Sequence, residues 1–138
     1  MSAELLSVII TLLFFWRERM IIKNAMSVVP QKVEGVEGTE VRWVIDGNDG
    51  APTFAMRIFD IQPGGYTPLH THDWEHEVYV LEGECEVTSA EDSKRAKAGD
   101  AVFVPGGELH QFRNTGGTLL RVMCLVPIVQ SGGAACGK

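Results

Sequence analysis

All four histidines of this chain are spaced so that one metal ion could gather them. Three fall in the run His70-Thr71-His72-Asp73-Trp74-Glu75-His76, and His110 follows Pro105-Gly106-Gly107-Glu108-Leu109. Neutral imidazole is the commonest protein metal ligand, and histidines used for packing or solubility would not collect in this way. The chemistry implied is a divalent transition metal in an all-nitrogen shell. Such a shell leaves the ion its full dipositive charge, which raises its Lewis acidity and its pull on anionic or carbonyl groups. Geometry and softness suit Zn, Cu, Fe or Ni, and raw affinity ranks manganese last.

Short strands must carry these ligands. Turn residues punctuate the chain from residue 37 onward at intervals of roughly 8–12 residues, the rhythm of a β-sandwich or barrel. Strands are expected at 39–45, 54–61, 76–81, 84–88, 101–104, 109–113 and 119–126. The segments 76–81 and 84–88 read as a hairpin turning at Glu82-Gly83, and 109–113 with 119–126 as a second hairpin across Asn114-Thr115-Gly116-Gly117. Alternate residues of a strand share a face. His70, His72 and His76 therefore have one parity, His110, Phe112 and Asn114 another shared face, and Val122 and Cys124 point inward opposite a solvated Arg121. Arg57 shares parity with Phe59 and Ile61, which aims a cation into the barrel interior if those apolar residues face inward. Surface salt-bridging is its alternative role.

A chain of 138 residues fits one domain with one core. A net charge of −6 with no Lys/Arg cluster argues against nucleic acid, whose binding needs a basic face. Cys85, Cys124 and Cys136 are odd in number and widely spaced, so no disulfide framework is implied and a reducing cytoplasm is the expected setting. Residues 1–19 differ from the rest. Their apolar run, 5–16, is short beside the roughly 20 residues that span a bilayer, and its charge follows the run, unlike a signal peptide. The leading reading is an extension upstream of a natural start at Met20 or Met26; the alternatives are a membrane-associating helix or an added element of the fold. The chain divides into this extension, an arm over 20–36, a barrel over 37–128 and a Gly/Ala-rich loose tail over 129–138.

Two motifs now resemble the cupin family. The first signature, Gly, five residues, HxH, a third ligand and a closing Gly, reads Gly64 through His70, His72 and His76 to Gly83. The second, G-x5-P-x-G-x2-H-x3-N, reads Gly99, Pro105, Gly107, His110 and Asn114 without a gap. The resemblance spans about residues 20–128. It implies an all-β, double-stranded antiparallel β-helix or jelly-roll barrel, with the ion in one mouth and homodimers in which the arm joins the partner's sheet. One position departs from the commonest pattern: register from Gly83 places His76 where many members have Glu or Gln. Glu77, one residue on, falls on the opposite face, and Glu75 and Glu77 are left as groups that could brace the imidazoles. The run His-Thr-His-Asp-Trp-Glu-His-Glu is similar to small four-histidine cupins that hold manganese, so the resemblance makes His70, His72, His76 and His110 the ligands and manganese the metal.

The pocket candidates are Arg57, Trp74, Phe112, Val122 and Cys124, with Arg57 as an anchor for a substrate carboxylate. Asn114 reads as a turn brace, and Gly64, Gly83, Gly99 and Gly107 as turn glycines. Three functions follow in descending order. The first is a metal-dependent oxidoreductase of dioxygenase type on a small organic substrate. The second is a pocket that holds a small acid or sugar without turnover. The third is a metal-dependent isomerase or hydrolase, disfavoured because no side chain is placed as a general base.

Overall fold

Period-two burial is clearest in 76–80 and 120–127, where it builds strands that show one face to an interior. The computed structural model describes residues 20–128, and the expectations for 1–19 and 129–138 lie outside the described residues. Strands β2 (Thr39–Ile45), β3 (Phe54–Ile61), β5 (Glu84–Thr88) and β7 (Ala101–Val104) have the bounds read from the sequence. Strands β4 (His76–Glu82), β8 (Gln111–Asn114) and β9 (Leu120–Pro127) differ by a residue or two. The sequence reading missed β1 (Gln31–Lys32) and β6 (Ser93–Lys97). Both lack an apolar alternation: the residues of β1 are exposed, and in β6 only Ala96 is buried.

Two antiparallel sheets face each other. The larger runs β1-β2-β3-β9-β4-β7 and the smaller β6-β5-β8. This is the jelly-roll arrangement, and it corrects both expected hairpins. Strand β4 pairs with β9 and β7 in the large sheet, whereas β5 pairs with β6 and β8 in the small one. Strand β9 likewise pairs with β3 and β4, away from β8. Strands β4 and β5, and likewise β8 and β9, lie in opposite layers, so the short Gly-containing links between them serve as corners. At the first corner Gly83 has φ 80°, and a Cβ there would sit 2.5 Å from the Leu119 carbonyl oxygen. At the second, Asn114 fastens the turn, its Nδ2 donating to the carbonyls of Ile61 and Thr118 and its Oδ1 accepting from Gly116 N–H.

The core lies between the sheets, with Ile61, Val80, Cys85, Leu120, Val122 and Phe112 among its buried members. Truncating a fully buried Ile61 or Leu120 to Ala would cost about 2–5 kcal/mol. On the outer face of the large sheet, Asp60 receives Arg42 and Arg121 together. The arm's β1 pairs with this chain's own β2, Gln31 opposite Val41 and Lys32 opposite Glu40. Among the described residues no helix is long and apolar enough to cross a membrane.

Candidate metal centre

The ligand loop is stitched to β8 before it reaches the first histidine. Thr67 N–H donates to the Phe112 carbonyl at 2.8 Å, and Phe112 N–H donates to Thr67 Oγ1 at 2.9 Å. His70 and His110 then exchange both backbone hydrogen bonds, at 3.2 and 3.0 Å, as an isolated antiparallel bridge. Residues 64–70 thus extend the small sheet, and they bring two ligands side by side. Behind His72, Gly107 N–H donates to the His72 carbonyl at 2.7 Å. Gly106 packs so tightly that a Cβ would lie 2.2 Å from the Asp73 carbonyl oxygen. His76 arrives from the other layer, as the first residue of β4, opposite Val104 of β7.

These elements bring all four imidazoles together, with one ligand atom from each lying within 4.8 Å of the others. Two nitrogens bound to one ion at about 2.1 Å sit no more than about 4.2 Å apart, so small shifts of the rings close the shell. His70 Nδ1 contacts the Pro68 carbonyl at 2.8 Å, His72 Nδ1 that of Trp74 at 2.7 Å, and His110 Nδ1 that of Glu108 at 2.8 Å. A carbonyl only accepts, so each Nδ1 carries the ring proton and each Nε2 presents a lone pair inward. Burial also favours neutral rings. It holds His72 and His110 below the ordinary histidine range, and burial with the Arg57 charge nearby takes His76 down to about 3. The residues present fit a transition-metal ion.

A cavity of about 290 Å³ opens beside the centre. His70, His76 and His110 form its floor, and Arg57, Phe112, Val122 and Cys124 line it as their parity implied. Arg57 is buried, at 2% exposure, which rules out the surface salt-bridge role. Its guanidinium lies between the rings of Trp43 and Phe59, 5.2 and 5.1 Å from their centroids, and Nη2 donates to Cys124 Sγ at 3.3 Å.

Two expectations need correction. Trp74 does not line the cavity; its ring stacks on that of His72, centroids 4.4 Å apart and 5° from parallel. The bracing expected of Glu75 and Glu77 falls to backbone at three of the four imidazoles. Nearby carbonyls already occupy three Nδ1 positions, and Glu77 faces outward, opposite Phe103 and Leu125. The sequence reading also missed the arm's part in the site, where Gln31, Lys32, Val33 and Glu34 form one wall. No local signal marks those residues, since a two-residue strand carries no periodicity.

Comparison with known proteins follows the same outline. Residues 57–126 match the family described as the cupin domain. The solved structure of the polyketide cyclase RemF from Streptomyces resistomycificus superposes with a TM-score of 0.75 at 34% identity, covering 80% of this chain and 81% of that one. A 1-methylthio-D-xylulose 5-phosphate methylsulfurylase of Rhodospirillum rubrum is 31% identical over 54% of this chain and 47% of its own length. An oxalate-binding protein of Thermotoga maritima is 36% identical over 48% of this chain and 55% of its own. The chain thus spans about half the length of these two curated relatives.

Proposed function

The chain belongs to the cupin family, and from that premise we propose a metal-dependent oxidoreductase, dioxygenase-like, acting on a small carbonyl- or carboxylate-bearing substrate. One observation carries this reading: four imidazoles without an acidic ligand meet a small, mainly apolar cavity whose wall holds a buried guanidinium. Manganese is the metal the resemblance favours; iron and copper are its rivals for redox chemistry. When bound, the ion supplies Lewis acidity and access to one-electron steps.

The protein's own residues do the rest. Val41, Phe59, Val78, Phe112 and Val122 exclude water and set the size of an acceptable substrate. Arg57, clamped between two aromatic rings, offers a planar fork suited to a carboxylate or carbonyl oxygen. The names of the relatives point the same way, towards oxalate, a sugar phosphate and a polyketide, all rich in such oxygens.

A second reading, a pocket that holds a small acid without turnover, has its own support. Among the described residues the only carboxylate lining the cavity is Glu34, on the arm, so no carboxylate stands on the barrel wall beside the shell. Oxygen uptake by manganese-, iron- and copper-loaded protein against small phenols, diketones and organic acids separates the two. Substrate-dependent uptake with one metal supports the oxidoreductase. No uptake with any metal, together with a thermal shift by oxalate, supports the binding reading. Elemental analysis with paramagnetic resonance on protein purified without added metal identifies the ion.

A further inference from the structure

The fourth ligand is held differently from the other three. His76 Nδ1 faces the sulfur of Cys124 at 3.5 Å. A thiol, unlike a carbonyl, both donates and accepts hydrogen bonds. Cys124 Sγ has a second outlet for its proton, the Leu125 carbonyl at 3.8 Å, and it accepts from Arg57 Nη2 at 3.3 Å. Arg57 can only donate, so it holds the sulfur in place whichever way the S–H turns.

His72 Nε2 and His76 Nε2 are 2.7 Å apart. Two lone pairs cannot face each other at that distance, so a proton or a shared cation must stand between them. The His72 proton is committed to the Trp74 carbonyl through Nδ1. In metal-stripped protein the bridging proton therefore belongs to His76 Nε2, which leaves His76 Nδ1 as an acceptor for the Cys124 S–H. A cation at the centre needs the opposite arrangement, with the lone pair on His76 Nε2 and the proton on Nδ1.

We propose that Cys124, held by Arg57, is the positioning residue that lets His76 change tautomer when metal binds, while His70, His72 and His110 are fixed in the metal-ready form. The step balances without an external reagent. His76 Nε2 gives up one proton and Nδ1 gains one, solvent serving as carrier; Cys124 keeps its proton and turns it from Nδ1 to the Leu125 carbonyl. Neither residue changes charge. The inference rests on the reading of the four histidines as a metal shell.

The test uses protein labelled with 15N-histidine, stripped of metal and then loaded with zinc, whose diamagnetism permits long-range proton–nitrogen correlation spectra. In the wild type, His76 should move from the Nε2–H to the Nδ1–H form on loading, and the other three should be Nδ1–H throughout. Cys124→Ser keeps a group that donates and accepts, and should retain the change. Cys124→Ala should lose it and weaken zinc binding by about 10- to 100-fold. Val126→Ala, on the same strand and buried but away from the cavity, controls for lost volume and should leave both the spectra and the zinc affinity unchanged. An Nδ1–H form of His76 before and after loading would overturn the proposal, as would a Cys124→Ala variant that matches the wild type. Wild-type protein that binds no zinc would remove the metal reading itself, and this proposal with it.

Discussion

The metal shell has two halves built by different rules. His70, His72 and His110 lie at or beside turns, and each is oriented by a carbonyl two residues away. His76 begins a regular strand, and its Nδ1 partner is 48 residues distant on β9. The first three orientations are local and persist wherever their turns persist. The fourth exists only when β4 and β9 are paired. A complete shell is therefore a report on the whole barrel, and three-quarters of one is a report on the loops.

Removing a ligand from either half tests that contrast most severely. His76→Ala and His110→Ala should each abolish stoichiometric metal in elemental analysis. His76→Ala should leave the Nδ1–H form of the other three histidines visible by nitrogen NMR. Asn114→Ala comes next: it strips three hydrogen bonds from a buried corner and should lower stability by about 3 kcal/mol in urea titration. Gly106→Ala drives a methyl into the Asp73 carbonyl. It should cost about 1–3 kcal/mol and displace His72, weakening metal binding while far-UV circular dichroism stays unchanged.

A gentler probe is acid. His76 is neutral in both folded and unfolded metal-free chains above pH 6.5. Between there and about 3 the unfolded chain takes up the proton and the folded one does not, so stability falls as pH falls. The shifts of His72 and His110 act in the same direction. Urea midpoints of stripped protein should decline over this window, and His76→Gln should flatten the decline. Glu77→Ala should do least of all, with metal content unchanged. Metal lost with Glu77→Ala and kept with His76→Ala would reverse the assignment of the third ligand.

The strand half of the site was the easier to read from sequence. Parity alone sent Val122 and Cys124 inward and Arg121 outward, and it tied Arg57 to the face of Phe59 and Ile61 while leaving a surface role open, because a strand's period leaves each side chain only two directions. The ligand positions followed from two spaced motifs. The links misled: Glu82-Gly83 has the composition of a hairpin turn, and nothing in it tells a turn within a sheet from a corner between sheets. Strand β6 escaped notice because Lys94, Arg95 and Lys97 all face solvent. The carbonyls that orient three imidazoles have no side-chain signature at all. Trp74 was misplaced because it sits in the loop between His72 and β4, where strand parity does not apply.

The arm closes one wall of the cavity with Gln31, Lys32, Val33 and Glu34, and it is held to β2 by a two-residue ladder and one further bond, from Val33 N–H to the Thr39 carbonyl. Little backbone hydrogen bonding must be lost to detach that wall, whereas opening the walls formed by β3, β4 and β9 means separating longer strands. Amide exchange should accordingly be faster along 31–34 than on β3 and β9, which makes the arm the wall of the cavity that opens most readily among these strands.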